Sequence, residues 1–438
     1  MALIRSRTPA RHQPAPQLEL PSRQKLHLIC HAAMKILQFF QRRHSPLLLA
    51  FLACFFVSVY LLQQRACQTP TRLWTNTDVS EAALLPPANA TLGFGGIYVV
   101  SGPESPRRRR LLEAAAVTEL ELIVPEQKEW TEEDVLAFQI PDHENSKLGR
   151  GSIKAWLSHH LVLRDFLESG KETALIIEDD VDWDIRLRTR QVPIAQDAAQ
   201  SLFRTSAPTS AQYPWGHPDD WDILYIGHCG DYFDMIERGV GVGHQHPEDL
   251  DRIAHVLAPD PTMPMRTDLH PYTASLLTAF AVPEQTRIFH RSRWPLCSFG
   301  YAVNRRSAQL ILDKVAPATE FPVDTQTAYD AAILTACRDG PLVCYALQPE
   351  LFHHMEGASL IDVQYDHSVE RPPVDAAGLD QVLYRGETSN INCGFWSGDF
   401  YPSGNEKRLQ HLISEVGRKG QCLKTLTRPY IVKPTQTG

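Results

Sequence analysis

The chain has 438 residues, of which 43% are hydrophobic and 21% charged, and a formal net charge of -8. These are globular values, and they bound the chain to one large domain or two smaller ones. The acidic balance excludes nucleic acid as a main partner, because phosphate contacts need a basic patch.

Residues 1–44 read as a basic tail, with Arg5, Arg7, Arg11, Arg23, Lys25, Lys35, Arg42 and Arg43 against the single acid Glu19. The uncharged span Ser45 to Leu62 follows; at 1.5 Å per residue it reaches about 27 Å, the length of a bilayer core. Arg42 and Arg43 precede it directly, so the positive-inside rule puts the tail in the cytosol and the rest across the membrane. Ser58-Val59-Tyr60 is not a small-residue cleavage site, which favours an uncleaved signal anchor over a signal peptide. Residues 63–92 are rich in Thr, Gln, Pro, Asn and Ala and read as a stem. Asn89-Ala90-Thr91 is an N-glycosylation sequon there. Seven cysteines follow the span, from Cys67 to Cys422. In an oxidising lumen some should pair, Cys337 and Cys344 being close enough for one bridge. The expected boundaries are thus 1–44 tail, 45–62 anchor, 63–92 stem, 93–425 catalytic domain and 426–438 C-terminal tail.

The body opens with a short strand, Gly95 to Val100. Arg107 to Arg110 then begin an amphipathic stretch, either a solvated helix start or a cradle for a diphosphate. Gly151 to Leu163 predicts a long helix carrying Ser158 and His159. His159 is either a satisfied buried histidine or a substrate contact. Ala174 to Ile177 is a bounded, branched apolar run and predicts a buried strand of a parallel sheet. It runs straight into Glu178, Asp179, Asp180 and Asp182, with Asp184 just beyond. Ligands of open α/β sheets bind outside the carboxyl ends of such strands. Carboxylates this close repel one another, and oxygen ligands suit Mg²⁺ or Mn²⁺.

Residues 191–219 read as an inserted loop, and no fold is assigned to 239–293. Strands are expected at Trp221–His228, Ser298–Val303 and Leu342–Ala346, and helices at Arg305–Val315 and Thr327–Cys337. The chain after His354 reads as tail-like. Alternating strands and helices indicate a layered α/β domain.

Six pieces, in order, carry a resemblance to glycosyltransferase family 25, which contains lipopolysaccharide and collagen galactosyltransferases. They are Ile97-Tyr98-Val99, Gly151 through His159, Ile177-Glu178-Asp179-Asp180, Trp221 through Gly227, Gly300-Tyr301-Ala302-Val303 and Pro322-Val323-Asp324. The Glu-Asp-Asp-Val-Asp-Trp-Asp block is similar to that of fungal members. The resemblance implies a GT-A-like, Rossmann-type nucleotide-sugar-binding domain behind the single membrane helix. It also implies a UDP-sugar donor and inverting transfer of a hexose, galactose by the family's example, to a glycan or glycoprotein acceptor. On it, Asp180 ligates Mn²⁺ or Mg²⁺, with Asp182 and His354 as further metal candidates. Glu178, Asp179, Ser158 and His159 are assigned to the nucleotide sugar, and Asp324 is the candidate base, with Asp330 or Asp231 behind it. Asp324 opens a predicted helix and is equally suited to cap it. The chain departs from the family at Val100-Ser101-Gly102-Pro103, where an Asn-Leu pair is usual. The implied setting is a single-pass type II protein of the Golgi or ER membrane with a luminal body. Two other readings use the same residues: a catalytically inactive, glycan-binding scaffold, and a metal-dependent hydrolase that releases product to water.

Overall fold

The computed structural model describes residues 85–141, 146, 148–204, 211–232, 247–320, 328–355, 387–396 and 398–424. The chain divides into two units, Met1–Thr71 and Arg72–Gly438. The first, with the expected anchor at 45–62, lies outside the described residues. Among the described residues no helix is long and apolar enough to cross a membrane.

The order begins β1 (Ile97–Val100), α1 (Arg108–Thr118), β2 (Leu122–Ile123), α2 (Glu132–Phe138) and α3 (Arg150–Glu168). Then come β3 (Thr173–Glu178), β4 (Val181–Trp183), α4 (Val192–Phe203), β5 (Ile223–Gly227), β6 (Gly230–Tyr232) and α5 (Pro247–Leu250). Next are β7 (His255–Pro259), α6 (Pro271–Ala279), β8 (Thr286–Arg291), β9 (Trp294–Leu296), β10 (Gly300–Asn304) and α7 (Arg305–Leu310). The described elements close with α8 (Tyr329–Asp339), β11 (Cys344–Gln348), β12 (Phe352–His354) and α9 (Glu406–Leu412).

The main sheet runs β2-β1-β3-β10-β5-β11-β8-β7. Strands β1, β2 and β3 are parallel, but β10 lies antiparallel between β3 and β5. The expected α/β layering is present; the sheet is mixed rather than all-parallel. Side-chain alternation explains its two covered faces. Leu175 and Ile177 of β3 join Ile97, Val99, Leu224 and Ile226 in one core with α1 and α4. Ala174 and Ile176 point the other way, joining Tyr98, Tyr225, Tyr301 and Val303 in a second core with α3 and α8. A run buried on both faces has no polar position to spare, which is why it reads as continuous apolar sequence.

Three regions differ from the sequence expectation. The supposed loop at 191–219 begins with α4, whose buried stripe is Val192, Ala195, Ala198 and Ala199. Alanine makes a weak hydrophobic pattern but a strong helix. The unassigned 239–293 region contributes β7, α6 and β8 and a third core around Leu276, Leu277 and Phe280. A buried ion pair, Arg287 to Asp260 at 2.7 Å, holds it, and Arg287 also donates to the carbonyls of Pro349 and Glu350. Lastly, residues 387–424 are not tail-like. Cys393, Phe395, Phe400 and Tyr401 are buried in the first core, and Cys393 bonds Cys422. Disulfides also join Cys229 to Cys297 and, as the spacing suggests, Cys337 to Cys344. The end of the expected stem packs on the body too: Leu92 is buried and its carbonyl accepts from Trp215 Nε1 at 2.7 Å.

Strands β5 and β10 meet through glycine. A Cβ on Gly300 would stand 2.7 Å from the Gly227 Cα, and the reverse holds equally. This approach sits where the β5–β10 register shifts, between Gly300 and Tyr301. Gly300→Ala should therefore cost about 1–3 kcal/mol, the usual penalty of forcing atoms into a filled core. Urea unfolding of the variant against wild type measures it; a change within a few tenths would show that the strands can part without loss.

Candidate functional site

The register places the acids. Val100 and Glu178 are paired at the carboxyl ends of β1 and β3, and the Glu178 N–H donates to the Phe299 carbonyl just before β10. The chain then turns into β4, which pairs with β12, so that Val181 opposes His354 and Asp182 opposes His353. Five carboxylates in seven residues thus meet the incoming ends of β10 and β12. They divide into three groups.

Glu178 turns inward to His159 on α3, with Oε1 3.3 Å from Nε2, and accepts from Ser298 Oγ at 3.2 Å. Desolvation opposes its ionisation, but His159, Ser298 and the His354 charge outweigh it and leave the carboxyl below its usual range. His159 is buried, contacts Tyr301 Oη at 3.2 Å and stacks on Tyr329 with ring centroids 4.5 Å apart. The Tyr301 and Tyr329 hydroxyls share a hydrogen bond of 2.8 Å. His159 is thus a buried histidine with partners on both ring nitrogens. It reaches the site through Glu178. Ser158 faces elsewhere and accepts from Trp130 Nε1 at 2.8 Å.

Asp179 and Asp180 share Arg107. Arg107 Nε lies 3.0 Å from Asp179 Oδ1, and Nη1 lies 3.0 Å from Asp180 Oδ2. Asp179 also accepts from Ser101 Oγ at 2.7 Å, and Arg108 Nε donates to the same hydroxyl at 2.9 Å. Asp180 is the uncomfortable member: its Oδ1 is buried with no hydrogen-bond partner. Desolvation, then the charges of Glu178 and Asp179, push its carboxyl up to about 7 despite Arg107.

Asp182 and Asp184 turn away from that pair, towards residues 388–396. Asp182 accepts from Thr388 Oγ1 at 2.7 Å and from the N–H groups of Phe395 and Trp396 at 2.7 and 3.3 Å. Gly394 fits only because it lacks a side chain, since a Cβ there would stand 2.2 Å from Asp182 Oδ2. Asp184 takes both arms of Arg186 at 2.8 Å and the Cys393 N–H at 2.9 Å. Asp182 thus takes its donors from Thr388, Phe395 and Trp396, and Asp180 takes its donor from Arg107.

His354 lies beside the acids in sequence register, its ring edge-on to Phe299 at 5.1 Å. Asp324 lies outside the described residues. Asp330 is half-buried at the start of α8, accepts from the N–H groups of Cys297 and Ala331, and is raised by desolvation first. Asp231 accepts from the Arg293 and Trp294 N–H groups at β9. The sequon residue Asn89 is exposed, its Oδ1 accepting from the Thr91 and Gly93 N–H groups. A cavity among Phe400, Arg408, His411 and Lys424 includes none of the acids at the end of β3.

Among the described residues no group of three or more His, Cys, Asp or Glu side chains is arranged to hold a metal ion. That does not decide against Mg²⁺-type binding, which uses one or two carboxylates with waters and substrate phosphates. The unpartnered Asp180 Oδ1, among like charges, suits a cation, so the residues fit a divalent ion through Asp180 with Asp179 beside it.

Sequence reasoning did not anticipate Ser101, Ser298, Tyr301 or Tyr329, nor a second polar cluster behind β12. There Glu350 is buried, paired with His353 and accepting from Asn390 Nδ2 at 2.8 Å. Asn390 also accepts from the His270 N–H at 2.8 Å. The only signal for it was Ser389-Asn390-Ile391-Asn392, which is polar at the right place but has no period.

No known family's sequence profile matches the chain. A stretch of 148 residues is 24% identical to procollagen galactosyltransferase 2 of Mus musculus, covering 31% of this chain and 21% of that protein. The chain thus spans about a fifth of the length of this curated relative. The likeness is to a glycosyltransferase, and it reaches no finer than that. Two solved structures align at a TM-score of 0.26 and 11% identity over 60% of this chain: A197 from STIV, and a glycosyltransferase involved in glycosylation of the PBCV-1 major capsid. They cover 86% and 94% of those chains respectively. So low a TM-score leaves the strand order given above as the description of the fold.

Glu350 gives the site region a pH signature. Desolvation would raise its carboxyl, but His353, His228 and Asn390 pull it from 4.5 to about 2. A depressed carboxyl stabilises the fold above its unfolded value and loses that contribution as pH falls through the folded one. Glu350→Gln should therefore cost on the order of 2–3 kcal/mol at neutral pH. The gap from wild type should close as pH drops from 4.5 towards about 2. Denaturant midpoints across that range are the measurement, and a gap that stays constant would contradict the pairing.

Proposed function

We propose that the chain is a metal-dependent, inverting glycosyltransferase that moves a hexose from a UDP-sugar to a glycan or glycoprotein acceptor. The observation carrying this reading is Asp180: a carboxylate at the carboxyl end of a central strand, crowded by two others, with one buried oxygen unpartnered. Such a group is stable in its charged form only beside a cation. The partial likeness to a galactosyltransferase supports the same reading and makes galactose the first donor to try. The luminal, membrane-anchored setting stands on the 45–62 span, its Arg42-Arg43 flank and the Asn89 sequon.

In this proposal Asp180, with Asp179 beside it, holds Mn²⁺ or Mg²⁺. The ion, when bound, supplies positive charge against the leaving diphosphate. Glu178 is kept ionised and oriented by His159 and Ser298, suited to accept hydrogen bonds from ribose or sugar hydroxyls. The buried stack of His159, Tyr301 and Tyr329 fixes that orientation. Phe352 at the start of β12 pairs with Gly227, so the return of the chain after β11 lies beside the acids. Asp182 and Asp184 are placed outside the chemistry, as anchors of residues 388–396. The base that takes the acceptor proton is assigned to Asp324 from the Pro322-Val323-Asp324 motif alone.

One observation favours a second reading. Arg107 already gives Asp179 and Asp180 a protein cation, as a non-catalytic, glycan-binding scaffold would require. Donor binding separates the two. Asp180→Asn keeps the side-chain volume and should weaken Mn²⁺-dependent UDP-sugar binding at least about tenfold, because the diphosphate loses its counter-charge. Its melting temperature should not fall. UDP-sugar affinity that ignores both Mn²⁺ and this substitution would favour the scaffold.

If Asp324 is the base, Asp324→Asn should lower transfer by roughly 10² to 10⁴ with donor binding intact. Asn caps a helix about as well as Asp, so stability is the control. Near-normal turnover would move the role to Asp330, the half-buried acid whose carboxyl feels the Glu178 charge.

A further inference from the structure

The cation at the end of β3 is a side chain. Arg107 divides its guanidinium between two carboxylates, Nε to Asp179 and Nη1 to Asp180, each at 3.0 Å. A guanidinium fork normally closes on one carboxylate through two parallel bonds. Here it is spread across two, as a bridging ion would be, and each carboxylate keeps an oxygen for something else. For Asp179 that is Ser101; for Asp180 it is nothing. Arg108 does not share the task, since it donates to Ser101 Oγ and to the Ser101 and Gly102 carbonyls.

Arg107 stands at the edge of the site. It sits at the junction between the Ser101–Pro106 loop and α1, and its side chain is 28% exposed. A Cβ added at Gly102 in that loop would meet nothing within 4 Å, so the backbone there has open space around it. By contrast the carboxylates are fixed, since they follow directly from a strand paired on both sides.

We propose that Arg107 is an internal counter-ion occupying the charge position of the divalent ion at Asp179 and Asp180, so that ion binding requires its guanidinium to withdraw. A guanidinium and a divalent ion on the same two carboxylates would repel at contact distance in a partly buried site. The proposal rests on the metal reading given above, and explains why the described acids show no ready-made cage. It assigns Arg107 a positioning role, distinct from the ligands themselves.

The test reads metal binding alone, with neither donor nor acceptor. Mn²⁺ is titrated into the full chain, and free ion is followed by its electron paramagnetic resonance signal. Arg107→Gln removes the competitor and should tighten Mn²⁺ about tenfold, the scale expected for a partly exposed bridging pair. Arg109→Gln removes the same charge two residues along, at an exposed position away from the contact, and should change affinity less than about twofold, because exposed charges are screened. Mn²⁺ binding by wild type with unchanged or weaker affinity in Arg107→Gln overturns the inference and leaves the metal reading standing. Binding by neither overturns both. Equal tightening in Arg107→Gln and Arg109→Gln also overturns it, since net charge would then suffice. Should Arg107→Gln fail to fold, Arg107→Lys keeps the charge but cannot span both carboxylates. It should tighten Mn²⁺ about threefold, and an unchanged affinity there again overturns the proposal.

Discussion

The rest of this structure depends on neutralising one short run of carboxylates. Strand β3 must be central, because both its faces are apolar. The chain leaving it carries five acids in seven residues, and at contact distance in a half-buried place they cannot all stay charged without donors. The fold finds these donors in three directions. Glu178 is served by a histidine from the helix before the strand. Asp179 and Asp180 are served by an arginine from the first βα junction. Asp182 and Asp184 are served by backbone N–H groups from near the end of the described chain.

That division explains features that look unrelated. The described residues after 386 are drawn into the first core because Asp182 and Asp184 need the N–H groups of Cys393, Phe395 and Trp396. Gly394 must be a glycine because Asp182 lies against it. Glu387 is carried in with this segment and is itself pushed up to about 7, by desolvation first and also by the Asp182 charge, although Lys424 is paired with it. The same inward packing brings Asn390 to Glu350, and Glu350 to the turn that Arg287 and Asp260 hold. Polar groups in the interior are thus linked in series, each satisfied by the next.

Much of this was legible in the sequence wherever the signal was local. The run from Ala174 to Ile177 announced a doubly buried strand. The long helix carrying His159 and the Cys337–Cys344 bridge were equally local. Helix α4 was not legible, since a stripe of alanines barely differs in hydrophobicity from its surroundings. The packing of residues 387–396 was not legible for a different reason: its sequence is polar and aperiodic, and its partners are acids some two hundred residues earlier. Asp180-x-Asp182 has the spacing of a metal pair, but Asp180 lies in the turn before β4 and pairs with Arg107, while Asp182 takes its donors from Thr388, Phe395 and Trp396. Spacing reports chemistry only when backbone direction is known as well.

The long reach of these contacts has a bearing on how the chain is made. Asp182 is synthesised 213 residues before the Phe395 N–H that it accepts, and Asp184 is synthesised 209 residues before that of Cys393. A nascent chain that has emerged only as far as β11 holds all the central strands, yet Asp182 and Asp184 still lack their donors from Thr388, Cys393, Phe395 and Trp396. Until the C-terminal segment arrives, that corner must stay open and hydrated. Closing this part of the first core waits for that later segment. Non-local closure of this kind is slow, and it leaves apolar surface exposed while it waits. A ribosome-bound chain of this protein would be a natural client for chaperones during that interval.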